Sequence, residues 1–130
     1  MSELNSNLGR VAQLLEFGGP DTMGAEIITR EKARGFKIVR PGDAAWFPVA
    51  RWKARSIASL DGKRARLVAL DAIVPGQGSL KAMIADIEKH GLIPVLVEPN
   101  RRLSNSLERW GWHRRLRGFS SDRETIWYPR

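Results

Sequence analysis

The stretch ARLVALDAIVPGQGSLKAMIADIEKHGLIPVLV, residues 65–97, decides the fold. Ala65 to Ile73 is a β-prone run, and Val74-Pro-Gly-Gln-Gly-Ser79 after it is a glycine turn. Leu80, Met83, Ile84 and Ile87 then recur at i, i+3, i+4 and i+7, the apolar stripe of a helix that His90-Gly91 closes. Leu92-Ile-Pro-Val-Leu-Val97 is a continuous apolar run bounded by turn residues, the pattern of a strand covered on both faces. Pro94 cannot donate to a ladder, so this strand needs a bulge or a locally unpaired stretch. A strand-helix-strand crossover in one sheet is right-handed and makes its two strands parallel. A ligand is then expected beyond their carboxyl ends.

Upstream, Arg55–Leu60 and Ala65–Ile73 flank Asp61-Gly62-Lys63-Arg64, which predicts an antiparallel hairpin. Phe36–Val39 reads as a strand before the turn Pro41-Gly42-Asp43, and Trp46–Ala50 as a further short strand. A helix is predicted from Thr22 to about Arg34, with Asp21 or Thr22 as N-cap and Gly35 as its stop. Leu4, Leu8, Val11 and Leu15 predict another over residues 4–17, stopped by Gly18-Gly19-Pro20. Downstream, Leu103, Leu107 and Trp110 share one face of a helix from Arg101 to Trp110, with Gly111 after it; Trp112–Leu116 and Thr125–Tyr128 are short strands. The sum is a mixed α/β sheet of α+β character with helices covering it, in a single domain over residues 1–130: helices and antiparallel strands over 1–64, the crossover unit over 65–130.

Cysteine is absent, which removes disulfide frameworks and thiolate metal sites, and His90 and His113 alone do not make a zinc ligand set; no metal is expected. No apolar run approaches the roughly 18 residues of a membrane span, and MSELNSNLGR lacks the basic-then-apolar layout of a signal peptide, so a cytoplasmic location is expected. The net charge of +8 draws anions of every class, from phosphorylated cofactors to nucleic acid and acidic protein surfaces. Its densest run is Arg101, Arg102, Arg109, Arg114, Arg115 and Arg117 against the single acid Glu108. Arg114, Arg115 and Arg117 suit either a nucleic-acid backbone or a solvated basic face. Trp46, Trp52, Trp110, Trp112 and Trp127 interleave with basic residues as base-stacking groups do, but Trp110 and Trp112 also fit a core.

Gly76-Gln77-Gly78-Ser79 lies between a strand and a helix, where glycines let backbone approach a phosphate and the first-turn amides donate to it. The same glycines also serve a plain tight turn. The segment has neither the Lys-Ser/Thr of a P-loop nor the third glycine and later acid of a dinucleotide fingerprint.

One helix and one strand further on, Asn100-Arg-Arg-Leu-Ser-Asn-Ser-Leu-Glu-Arg-Trp-Gly-Trp112 resembles the segment of GNAT-type (GCN5-related) N-acetyltransferases in which an asparagine ends a strand and a helix runs to a Gly-aromatic pair. Leu103 stands three positions after the asparagine, and Gly111-Trp112 eleven and twelve after it, as in that family. The resemblance covers roughly half the chain, residues 65–128. It implies an acyl-CoA N-acyltransferase fold, shortened at its N-terminus, in which acetyl-CoA is wedged between the parallel strands as co-substrate. The pyrophosphate would rest on Gly76, Gln77, Gly78, Ser79 and Leu80; Asn100 would flank the thiol end, and Arg101 and Arg102 would meet the adenosine phosphate. An acetyl group would pass to an amine acceptor.

The sequence departs from the family at two positions. Ile73 stands where the fuller turn carries Gln or Arg, and Leu107 where a tyrosine commonly protonates the leaving thiolate. Ser106 is adjacent on a different helix face, and Tyr128, the one tyrosine, is far along the chain. The acids in reach as a base for the amine are Asp71 and Glu98, each also readable as a solvated or capping carboxylate. Small members of this kind resemble phage proteins, some carried inside virions, so the alternative expectation is a catalytically inactive basic protein that binds nucleic acid or a protein partner.

Overall fold

The computed structural model describes residues 19–118 and 123–129, with side chains from residue 24 onward. The helix expected over residues 4–17 lies outside them.

Helix α1 (Gly19–Ala33) begins earlier than expected. Gly19 and Pro20 open it, because a proline in the first turn gives up an N–H that has no helical partner there and its φ already suits a helix. It ends where expected: Gly35 takes φ +85°, and the N–H groups of Gly35 and Phe36 close the last turn on Lys32 O and Glu31 O at 2.9 and 3.0 Å. Strand β1 (Lys37–Val39) follows, then the hairpin of β2 (Ile57–Asp61) and β3 (Arg64–Ala69), turning through Gly62 at φ +60°.

No strand forms over Trp46–Ala50; the segment is a chain of turns. Gly42 N–H donates to Phe47 O at 2.8 Å and Phe47 N–H to Ala44 O at 3.0 Å, so its backbone bonds are local and no ladder is available. Of the apolar residues that suggested a strand, Trp46 and Phe47 are core anchors on a loop, while Val49 and Ala50 are exposed. Phe47 stacks on Trp46 with centroids 5.7 Å apart and meets Trp52 edge-on at 6.2 Å. The run expected to continue to Ile73 leaves the sheet after Ala69, and Asp71 and Ala72 instead lie against this loop, with Lys53 N–H donating to Asp71 O at 2.8 Å.

Helix α2 (Ser79–Lys89), strand β4 (Ile93–Val97), helix α3 (Arg101–Arg109), and strands β5 (His113–Arg117) and β6 (Glu124–Tyr128) complete a mixed six-stranded sheet of order β1-β2-β3-β4-β6-β5. Only the β3–β4 pairing is parallel, as the crossover requires.

Strand β4 changes partner along its length. Its first four residues pair Arg64–Leu67 of β3; from Leu96 onward it pairs β6, Leu96 with Trp127 and Val97 with Ile126. Because Ile93 N–H donates toward β3, to Lys63 O at 2.7 Å, the alternating backbone turns the Pro94 nitrogen to the other side, where β6 has not yet arrived. Carrying the register back sets Pro94 opposite Pro129. The locally unpaired stretch that Pro94 demands therefore exists.

One face of the sheet buries Ala58, Ala65, Leu67, Leu96 and Trp127 under Met83 and Ile87 of α2, Leu107 of α3 and the Trp46-Phe47-Trp52 loop. The opposite face, under α1, buries charge. Arg66, 2% exposed, makes a forked contact with Glu31, and its Nη2 also reaches Glu124 at 3.0 Å; Arg34 reaches Glu124 at 2.9 Å, and Ser59 Oγ donates to Glu31 at 2.6 Å. The Phe36 ring lies 4.6 Å from the Arg66 guanidinium carbon. Burial alone would raise the Glu31 carboxyl, but the Arg66 and Ser59 hydrogen bonds and nearby positive charge hold it below its usual value; burial would lower Arg66, and Glu31 and Glu124 together more than offset that. No described helix is long and apolar enough to cross a membrane.

Candidate functional site

The glycine turn leads from β3 into α2. Gly76 and Gly78 take φ +81° and +71°, conformations that L side chains avoid, and a Cβ at either would meet nothing within 4 Å. The turn is therefore open to the outside as well as left-handed. Gly78 occupies the N-cap position and offers no side chain, and the first turn has no acid. The first intrahelical bond, Ala82 N–H to Gly78 O at 3.0 Å, leaves the amides of Ser79, Leu80 and Lys81 without helical partners. Three donors and the positive end of the helix macrodipole thus converge at the carboxyl side of β3.

Arg51, not singled out by sequence reasoning, comes from the tryptophan loop to the same place. Its Nη1 donates to Ser79 Oγ at 3.4 Å, and with Ala50, Val74, Gln77 and Ser79 it lines a cleft of about 250 Å³. A cation at a helix N-terminus is electrostatically unfavourable unless an anion joins them. No motif marks Arg51; the bonds Ile73 N–H to Arg51 O, 2.9 Å, and Lys53 N–H to Asp71 O, 2.8 Å, set the two segments side by side.

Beside this cleft the parallel ladder opens. It pairs Leu67 with Leu96 and goes no further, although β3 continues to Ala69, still held by β2 through Ile57.

The remaining candidates scatter. Asn100 spends its side chain on the N-cap of α3, accepting from Leu103 N–H at 2.8 Å. Arg101 and Arg102 are exposed on the first turn of α3; Arg101 lines a different cleft, of about 530 Å³, with Glu108, Trp112 and Arg114 among its walls. Leu107 is fully buried. Ser106, half-buried, accepts from Arg109 at 3.2 Å.

Asp71 is ion-paired with Arg55 and lies 3.9 Å from Lys53, while its backbone N–H donates to Ser56 Oγ at 2.9 Å. Glu98 follows β4 and is the one non-glycine among the described residues with positive φ, at +51°. Its N–H donates to Thr125 O at 2.8 Å, and its Oε2 accepts from Thr125 N–H. Among the described residues no group of three or more His, Cys, Asp or Glu side chains is gathered to hold a metal ion.

A solved structure described as a "putative acetyltransferase from Agrobacterium tumefaciens" is similar over 91% of this chain and 93% of its own, at 14% identity and a TM-score of 0.36. No family model matches the chain, and no curated protein matches it.

Proposed function

We propose that the protein is an acetyl-CoA-dependent N-acetyltransferase of GNAT-like fold, passing an acetyl group to an amine acceptor. The observation that carries this reading is the set of unpartnered amides of Ser79, Leu80 and Lys81, opened to the outside by Gly76 and Gly78 and overlooked by Arg51. That donor set fits a diphosphate: three amides and a guanidinium supply charge-assisted bonds, and no carboxylate competes in the first turn. Gly76, Gln77, Gly78, Ser79 and Leu80 form the phosphate cradle.

Acetyl-CoA supplies an activated thioester when bound. The end of β3 beyond Leu67 and the start of the Glu98 turn offer backbone to align it, because neither is spent on the β3–β4 ladder. Asn100 acts by starting α3 in the right direction. Arg101 and Arg102 contribute positive charge at that end and are assigned no single contact. Of the two acids, Glu98 is the better base for the amine. One of its oxygens is taken by Thr125, whereas Asp71 is bound up with Arg55 and Lys53. With Leu107 buried, water is the proton donor for the leaving sulfur.

The test is a thermal-shift titration with acetyl-CoA and desulfo-CoA. Both should raise Tm by mass action, and Arg51→Gln should weaken the response about tenfold, as loss of one charge-assisted contact does. Thiol release in the presence of small amines then reads turnover, with Glu98→Gln expected to lose more than Asp71→Asn. No shift with either cofactor overturns the reading.

A further inference from the structure

The arginines of β5 do not form one patch. Strand alternation sends Arg114 to the side of Arg101, Trp112 and Glu108, and sends His113, Arg115 and Arg117 to the other, where Arg64 and Tyr128 complete a second cleft of about 480 Å³. Tyr128 is its floor. Arg117 Nη1 donates to the tyrosine oxygen at 3.3 Å, the Arg64 guanidinium carbon stands 5.9 Å from the ring centroid, and the His113 ring is 6.0 Å away. Among the described residues no carboxylate lines this cleft; Glu124, opposite Arg117 in the β5–β6 register, is spent on Arg66 and Arg34, and Asp61 is 3.5 Å from Arg64. Every residue of β5 is exposed, and β5 is the last strand of the sheet.

We infer that this cleft is a binding surface for single-stranded nucleic acid, independent of the glycine-turn site. Arg115 and Arg117 stand two residues apart on one side of an extended strand, about 6.6 Å along its axis, and so present a row of cations to a phosphate backbone. Tyr128 and His113 bring ring faces among those cations, the combination that takes unpaired bases by stacking while guanidiniums hold the chain. An acidic peptide would use the cations and leave the rings idle. A duplex would offer no base face to either ring.

Fluorescence anisotropy of a labelled oligothymidylate about ten nucleotides long, titrated with the whole protein, tests this. With three arginines engaged, the plot of log K against log salt should fall with a slope of about −2. Arg115→Glu/Arg117→Glu should weaken binding at least about tenfold. Lys32→Glu/Lys37→Glu makes the same change in net charge at the opposite end of the sheet and should cost less than about threefold. Tyr128→Phe should bind as the parent does and Tyr128→Leu about tenfold more weakly, with far-UV circular dichroism showing that each variant is folded. Equal losses in the two charge-reversal variants, or competition by polyglutamate as strong as by unlabelled oligonucleotide, would overturn the inference. Absence of binding would also do so, whatever acetyl-CoA does in the thermal-shift experiment.

Discussion

Arg66 and Glu31 meet two atoms to two atoms, Nε to Oε1 at 2.9 Å and Nη2 to Oε2 at 3.0 Å, and both side chains are withdrawn from water. The pair joins α1 to the middle of the sheet, and Glu124 brings β6 into the same contact. Removing Glu31 takes the forked partner from the buried Arg66 and leaves it Glu124 alone. Glu31→Ala is therefore expected to lose about 3–5 kcal/mol in urea denaturation, whereas Arg66→Met with Glu31→Leu should cost much less than the sum of the singles.

The same pair fixes a pH dependence. Because the folded protein holds the Glu31 carboxyl below its usual 4.5, the unfolded chain binds the proton more readily. The stabilisation is complete above that usual value and is lost as pH falls through the lower folded one. The stability gap between the parent and Glu31→Gln should shrink between neutral and acidic pH. A gap that widens on acidification would contradict the assignment.

Leu107→Tyr tests the altered position of the proton donor. Leu107 is fully enclosed by the core, so a larger, polar ring should cost about 1–3 kcal/mol by overpacking and give no gain in thiol release. Increased turnover would show that the position reaches the reacting centre.

Asn100→Ala should lose about 1 kcal/mol through loss of the cap on Leu103 N–H, and Asn100→Asp should retain most of it. A drop in acetyl-CoA affinity much larger than the drop in stability would give Asn100 a direct role.

Gly78→Ala places a Cβ in open space but at φ +71°, so about 1–2 kcal/mol of backbone strain is expected without any clash inside the protein. Since the methyl would stand at the mouth of the amide cradle, weaker binding of desulfo-CoA should accompany it.

What the chain reveals before folding divides along physical lines. The hairpin through Gly62, the crossover between β3 and β4, and the helix from Asn100 to Arg109 rest on local periodicity and turn chemistry, and they appear where expected. The Trp46–Ala50 segment misleads because apolar density does not fix conformation; Trp46 and Phe47 pack into the core, while the segment's backbone bonds stay within the loop. Arg51 and the Arg66–Glu31–Glu124 cluster were illegible for another reason. Their partners lie 28, 35 and 58 residues away, and a buried charge carries no local pattern. The run Arg114–Arg117 was legible as charge, but its division between two sides of β5 needed the strand register.

The facing prolines of β4 and the chain end have a mechanical meaning. With neither Pro94 nor Pro129 able to donate, the seam between the four-stranded part and the β5–β6 hairpin is a perforation, fastened at Leu96, Val97 and Glu98 and open below them. Side chains make up for it: Glu124 of β6 is ion-paired with Arg66 and Arg34, and Trp127 packs into the core with Met83 and Ile87 of α2. The seam is thus stitched by charge where its backbone is not.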